Sequence, residues 1–207
     1  VMAVAAAVIG TTMGLRKHTD SQEVLSSCQQ SVDIYQSNVE RLKKTVDGAA
    51  ADLQITESQV KNPQTVTDLH NAVNKGNKKT TIDASCDASA SVEDIQAADQ
   101  KITAATRRLG NKVEAILSAK TAVEHSKNAR DVAVAKANLN NKVNDGQNVL
   151  STVHSNDLTA RQNLSAALSE AQQVVSASDS LNASIYASEL DKLQDAINKY
   201  TATAVSQ

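Results

Sequence analysis

The sequence predicts an all-α fold: long antiparallel, coiled-coil-like helices followed by a C-terminal three-helix bundle, elongated overall. Three observations carry this expectation. Apolar residues recur in alternating steps of three and four over most of the chain, the spacing of one helix face. Pro occurs once and Gly six times in 207 residues, so few positions interrupt a helix. Trp and Phe are absent and Tyr occurs three times, so the core must be built from Ala, Val, Leu and Ile. Side chains that small suit closely spaced helices better than a thick layered core. With 41% hydrophobic and 21% charged residues the chain is too apolar to stay disordered.

The first segment, "VMAVAAAVIGTTMGL", carries no charge and runs into Arg16, Lys17 and His18. As a helix it spans ~22 Å, short of a ~30 Å hydrocarbon core. With apolar residues upstream of Val1 it becomes the C-terminal part of a membrane span, and residues 1–18 are expected to be an N-terminal anchor with its basic flank. A cleaved secretory signal is the competing expectation, although "TTMGLRKH" offers a poor cleavage site. A buried core helix is a third. The positive cluster on the far side of the apolar run argues against export, since positive charge tends to stay cytoplasmic.

From Asp20 the helical signal is strong. Leu25, Cys28, Val32, Tyr35, Val39, Leu42, Val46, Ala49, Leu53 and Val60 form a heptad seam, with Thr56 in the one polar slot. Thr19 or Asp20 can cap its start, with Glu23 in support. The run ends at "VKNPQ", because Asn62 before Pro63 is pushed out of helical geometry. Residues 20–61 then make a rod of ~60 Å. A lone helix of this composition does not hold itself in water, so the seam needs a partner.

A short helix is expected over 64–75, using Val66, Leu69 and Val73. "GNKKTTIDASCDASAS" breaks every pattern and reads as a loop. Ser91 with Asp94 starts the next helix, whose stripe is Ile95, Ala98, Ile102, Ala105, Leu109, Val113 and Ile116. This second rod is the natural antiparallel mate of the first. No firm break precedes Asn156; Gly110 and Gly146 are candidate bends, each costing up to ~1 kcal/mol against Ala.

Three shorter seams follow: Leu139, Val143, Gly146, Leu150 and Val153; Leu164, Leu168, Ala171 and Val175; Tyr186, Leu190, Leu193, Ile197 and Tyr200. "SNDLTARQ", with Asn156 or Asp157 as cap, and "SASDSLNAS" supply the turns. Short links between helices of this length describe an up-down-up bundle. The expected organisation is 1–18 anchor, 19–130 long-helix hairpin or bundle, and 131–207 three-helix bundle.

Within "LTARQNLSAALSEAQQVV", Leu164, Leu168 and Ala171 stand at an L…AL..A pattern, and in "ASELDKLQDAINKY", Leu193, Ala196 and Ile197 stand at an L..AI pattern. On these pieces the block 139–200 resembles the FIVAR module. The resemblance implies a small helical bundle of the kind repeated in Gram-positive surface proteins as stalks or spacers beside adhesive or glycan-active domains. It covers about a third of the chain, and it departs from the family where Leu158 stands near the position of a frequent aromatic. More widely, the chain resembles membrane-anchored bacterial proteins labelled "colicin transporter", a label that implies no mechanism. Neither resemblance carries a functional residue over.

The two cysteines are the candidate site residues. Cys28 lies early in the first rod and Cys86 in the loop before the second. They meet only if helix 64–75 and an extended loop carry the chain back along the first rod, and the ~50 Å reach of those segments allows it. An exported chain with two Cys most often pairs them; two free thiols, one buried in a seam, are the alternative.

No catalytic, cofactor or metal site is expected. His18, His70, His125 and His154 are scattered, with no i, i+4 pair and no adjacent Cys, unlike metal-ligand clusters. Glu93, Asp94 and Asp99 cluster in "VEDIQAAD", yet paired acids need a concave, pKa-shifting site, and a solvated helix face is their ordinary setting. No G-x-S-x-G elbow or phosphate-binding Gly-rich loop occurs. Arg107, Arg108 and Lys112 in "TRRLGNK" form a local basic patch that can meet an anionic wall polymer or be balanced by nearby acids. Asn163 and Asn182 fit the N-glycosylation pattern. Net charge is −2 with interspersed signs, which gives no case for nucleic acid as a partner.

The expected function is a non-enzymatic scaffold or stalk, extracellular or envelope-associated, that presents a surface or binds a protein partner. A module binding a cell-wall polymer or peptide is the alternative. The expected partners are a protein or cell-envelope component, and the membrane through the N-terminal segment. The expected location is the bacterial cell surface, with that segment as anchor.

Overall fold

In a computed structural model the described residues are 13–177 and 182–205, with side chains described from Ser21 onward. The fold is all-α. Five helices follow in order: α1 Met13–Gly48, α2 Gln64–Asn77, α3 Val92–Thr152, α4 Leu158–Ser176 and α5 Ala183–Thr201. Two 3-10 turns, Asp52–Gln54 and Glu57–Gln59, lie between α1 and α2. Among the described residues the only β-type pairing is an isolated bridge, Ser155 to Ala204. The chain divides into two units, Val1–Ala51 with His70–Ser118, and Asp52–Leu69 with Ala119–Gln207. Helices α2 and α3 contribute to both, and the 130/131 division expected from the seams falls inside α3.

In the first unit α3 supplies the complete seam that its sequence promises. Ile95, Ala98, Ile102, Ala105, Leu109, Val113 and Ile116 are all buried. Ser91 starts the helix as a cap: its hydroxyl accepts the Asp94 amide at 3.1 Å and donates to the Asp94 carboxylate at 2.7 Å. Helix α1 runs antiparallel to α3. Cys28 packs with Ile95 and Ile102 at one end, and Leu42, Val46 and Ile116 converge on Gly76 at the other. The approach is close at a glycine: a β-carbon at Gly76 would lie 2.8 Å from Ile116 Cδ1 and 3.2 Å from Val46 Cγ2, so those side chains would have to shift. After α2 the chain continues without helix through residues 79–91, where Ile82, Ala84, Cys86 and Ala90 pack against the Cys28 cluster.

In the second unit the C-terminal part of α3 packs with α4 and α5 around Val132, Leu139, Val143, Leu164, Leu168, Ala171, Tyr186, Leu193, Ile197 and Tyr200. Asp157 caps α4, accepting the Ala160 amide at 2.9 Å, and Asn182 caps α5, accepting the Ile185 amide at 3.3 Å. Both are caps of the preferred type. The Tyr200 hydroxyl donates to the Val153 carbonyl at 2.8 Å, closing the end of the bundle. Helix α3 continues through Gly146. This glycine lets the helices approach, since a β-carbon there would stand 2.9 Å from Leu168 Cδ2 and 3.3 Å from Ile197 Cδ1. Between the 3-10 turns and α2, the Lys61 amide donates to the Ser126 carbonyl at 3.0 Å, and the Asn62 amide donates to the Ser126 hydroxyl at 2.7 Å.

Several expectations are corrected. The first helix starts before the expected cap at Thr19 or Asp20, already at Met13, and stops at Gly48 rather than near residue 61. Gly48 is a poor helix former, and the Ala49 and Ala50 amides turn back to the Val46 and Asp47 carbonyls. Ala49 and Val60 are nevertheless buried, so the continued spacing recorded burial rather than helix. The expected membrane anchor over 1–18, and with it the membrane partner and the anchored surface location, does not stand. Among the described residues no helix is long and apolar enough to cross a membrane, and α1 takes in Arg16, Lys17 and His18 rather than stopping ahead of them. Residues 1–12 lie outside the described residues, as do 178–181 of the expected "SASDSLNAS" turn.

Candidate functional site

Cys28 and Cys86 are joined by a disulfide, with Cα atoms 5.8 Å apart across a sequence separation of 58. The route is the one the sequence allowed: α2 and the irregular segment after it return the chain along α1. Cys28 is fully buried. The Tyr35 hydroxyl donates to the Thr80 carbonyl at 2.6 Å, so the segment is held to α1 both at Thr80 and at Cys86. Asp87 adds a local turn beyond the disulfide, accepting the Ser89 amide at 2.9 Å and its hydroxyl at 2.8 Å. Those two bonds, the amide first, hold the Asp87 carboxyl below its ordinary value of 3.8.

The other singled-out residues do not converge. His70, His125 and His154 are exposed at separate places, and the side chain of His18 is outside the described ones. Among the described residues no group of three His, Cys, Asp or Glu could hold a metal ion. Glu93 and Asp94 are exposed, and Asp94 is occupied in the α3 cap. Arg107 and Arg108 are exposed, whereas Lys112 is half-buried. Its ammonium donates to the Lys78 carbonyl at 2.7 Å and the Thr80 hydroxyl at 3.0 Å. Lys112 therefore braces the irregular segment instead of joining a solvated patch. Asn163 is exposed on α4, and Asn182 serves as the α5 cap.

Charge in the second unit is largely paired within single helices. Lys120–Glu124, Lys127–Asp131, Lys142–Asp145, Glu189–Lys192 and Asp195–Lys199 all lie one turn apart, a spacing that helps the helix itself. Lys120 also reaches Asp52 at 3.1 Å. Glu124 first, then Asp52, raise its ammonium above the usual lysine value of 10.5. Glu189 raises Lys192 in the same way. Glu189 is itself buried, and its Oε1, like the hydroxyl of Tyr186, has no hydrogen-bond partner among the described residues.

Two concavities stand out. One, of about 630 Å³ in the second unit, is lined by Lys61, His125, Asn128, Val132, Lys136 and Asn182. Its polar groups are partly engaged, Asn182 as a cap and Lys136 with the Ala177 carbonyl at 3.4 Å. The other, of about 420 Å³ in the first unit, has Val39, Leu42, Val46 and Leu109 as floor and Lys43, Lys78 and Lys79 at its rim. The non-helical segment after α2 borders this groove at Thr80 and Thr81, and Val39, a seam residue, is left 41% exposed. The three rim lysines are exposed. Among the described residues none of them makes an ion pair, in contrast to Lys120, Lys127, Lys142, Lys192 and Lys199 of the second unit.

The sequence hid this groove. Lys43 is separated from Lys78 and Lys79 by more than thirty positions, and "NKK" registered only as a break in helical pattern. Comparisons with protein-family models, curated proteins and solved structures yield no match.

Proposed function

We propose that this chain is a non-enzymatic helical scaffold, extracellular or envelope-associated, that holds a surface in place for a protein partner. The observation that carries this reading is the Cys28–Cys86 disulfide. Disulfides persist in oxidising surroundings, and this one clamps the irregular segment after α2 onto α1. Further support comes from the use of side chains: the α3 stripe from Ile95 to Ile116 is consumed in helix packing, and many charges stabilise their own helices. The resemblance of residues 139–200 to the FIVAR module, a spacer bundle, points the same way.

Retention on cell-envelope material of a Gram-positive bacterium tests the reading, comparing intact material with material digested by a protease that is then removed. The scaffold reading expects the oxidised chain to be retained on intact material and released after digestion. Retention that survives digestion supports the alternative, a module for a wall polymer, and absence of retention on either material contradicts both.

A further inference from the structure

We infer that the groove of the first unit receives an acidic peptide segment of a protein partner, one that sets one or two aliphatic side chains on the floor and carboxylates at the rim. The inference rests on the scaffold reading and names the partner's chemistry. Its first ground is charge complementarity. Lys43, Lys78 and Lys79 line the groove against a single carboxylate, Asp47. The ammonium of Lys112, bonded to the Lys78 carbonyl, adds positive charge next to the Lys78 backbone. Unpaired positive groups around a low-dielectric depression attract and orient an anionic ligand.

The second ground is the floor. Val39 belongs to the α1 seam yet is 41% exposed, while Leu42 and Leu109 beside it are buried at 7% and 2%. An aliphatic side chain placed over Val39 completes a seam that the chain's own extended segment leaves uncovered, as a partner helix does in groove recognition. This floor distinguishes between anionic ligands. A polyphosphate gains nothing from Val39, and the rim offers lysines rather than the bidentate arginine forks suited to phosphate. A sugar lacks an aromatic platform, since the hydroxyl of Tyr35, the one aromatic residue at the groove, is tied to Thr80.

The disulfide-intact full chain is titrated into a short fluorescein-labelled peptide carrying Leu on one helical face and Glu on the other. The comparison probes are the same peptide with Lys for Glu, polyglutamate, and long-chain polyphosphate. The expected result is saturable binding of the Leu/Glu peptide, no binding of its Lys counterpart, and clearly weaker binding of polyglutamate. Lys78→Glu with Lys79→Glu weakens binding by about tenfold or more, and salt weakens it further, as expected for exposed charges. Val39→Ser weakens binding of the Leu/Glu peptide without affecting polyglutamate. Among the described residues these lysines are exposed and without ion pairs, so the double lysine variant keeps the thermal unfolding midpoint, which is measured alongside for every variant.

Absence of binding up to about 1 mM peptide, the limit of weak recognition, overturns the inference. So does unchanged affinity in the double variant, or polyphosphate competing as well as the peptide, which assigns the groove to an anionic polymer instead. The same double variant in the envelope-retention assay separates the two readings. If protease-sensitive retention persists undiminished, the partner sits elsewhere and only the groove assignment fails; if wild-type retention itself is absent, the scaffold reading fails.

Discussion

The hydroxyl of Tyr200 donates to the carbonyl of Val153 at 2.8 Å, and the Tyr200 side chain is completely buried. One hydrogen bond thus ties the last helix to the end of α3, where the chain turns toward α4. Tyr186, on the same helix, is buried as fully, but its hydroxyl has no partner among the described residues. The two tyrosines are therefore predicted to respond differently to the same change. Tyr200→Phe leaves the half-buried Val153 carbonyl without this donor and lowers the unfolding free energy by ~1 kcal/mol. Tyr186→Phe removes a buried, unpaired hydroxyl and leaves stability unchanged or raises it. Urea unfolding of both variants checks the difference; equal losses would contradict it.

Ser126 is a polar residue in an apolar stripe, and its environment explains the exception. Its carbonyl and hydroxyl accept the amides of Lys61 and Asn62, fixing the turn that leads into Pro63 and α2. Ser126→Ala removes one acceptor and is expected to cost ~1 kcal/mol. Hydrogen exchange provides a local readout: the Asn62 amide loses protection in the variant, while the Leu193 and Ile197 amides in α5 keep theirs.

Gly110 and Gly146 occupy the same helix in opposite surroundings. A β-carbon on Gly110 meets nothing within 4 Å, whereas on Gly146 it meets Leu168 Cδ2 at 2.9 Å. Gly110→Ala should stabilise the chain by up to ~1 kcal/mol through helix propensity alone. In Gly146→Ala the same gain is opposed by displacement of packed Leu168 and Ile197, an overpacking cost of ~1–3 kcal/mol. Thermal melts should place the Gly146 variant below the Gly110 variant, and the reverse order would refute the close approach of these helices.

How much of this was legible from the sequence depended on what each apolar stripe packs against. The α3 stripe from Ile95 to Ile116 and the three C-terminal seams face other helices, so their spacing translated directly into helices and core. In α1 the spacing ran on through Ala49 and Val60, yet the helix stops at Gly48. Those two residues are buried from irregular backbone, and periodicity reports burial before it reports conformation. The caps at Ser91 and Asp157 could be read because each acts on an amide three residues away. The lysine-rimmed groove could not, because Lys43, Val39 and Lys79 share a neighbourhood only through the return path of the chain. The close approach at Gly146 could not be read either, because the sequence does not show which side chain crosses it.

Lys120 sets an alkaline limit on one contact. Its partners raise its ammonium above the usual lysine value of 10.5, so the stabilisation it gives is fully present below that value. It is lost as pH rises through the higher value of the folded state. Loss of the proton leaves Asp52, only 13% exposed, with its charge and without its cation. As pH rises beyond 10.5, wild type should lose stability more steeply than Lys120→Met, which has already lost the contact. Parallel slopes in melts across that range would contradict the assignment.

The most direct test of the account concerns the Cys28–Cys86 clamp, on which the scaffold reading depends. Closing this loop contributes up to ~4 kcal/mol in the chain-entropy treatment. Thermal unfolding of the non-reduced chain, the reduced chain and Cys86→Ala, with the bond verified by non-reducing peptide mapping, measures that contribution. The account predicts a linked Cys28–Cys86 peptide and a midpoint that falls to a common lower value in the reduced and substituted chains. Two alkylatable thiols in the non-reduced chain, or identical midpoints in all three samples, would contradict it.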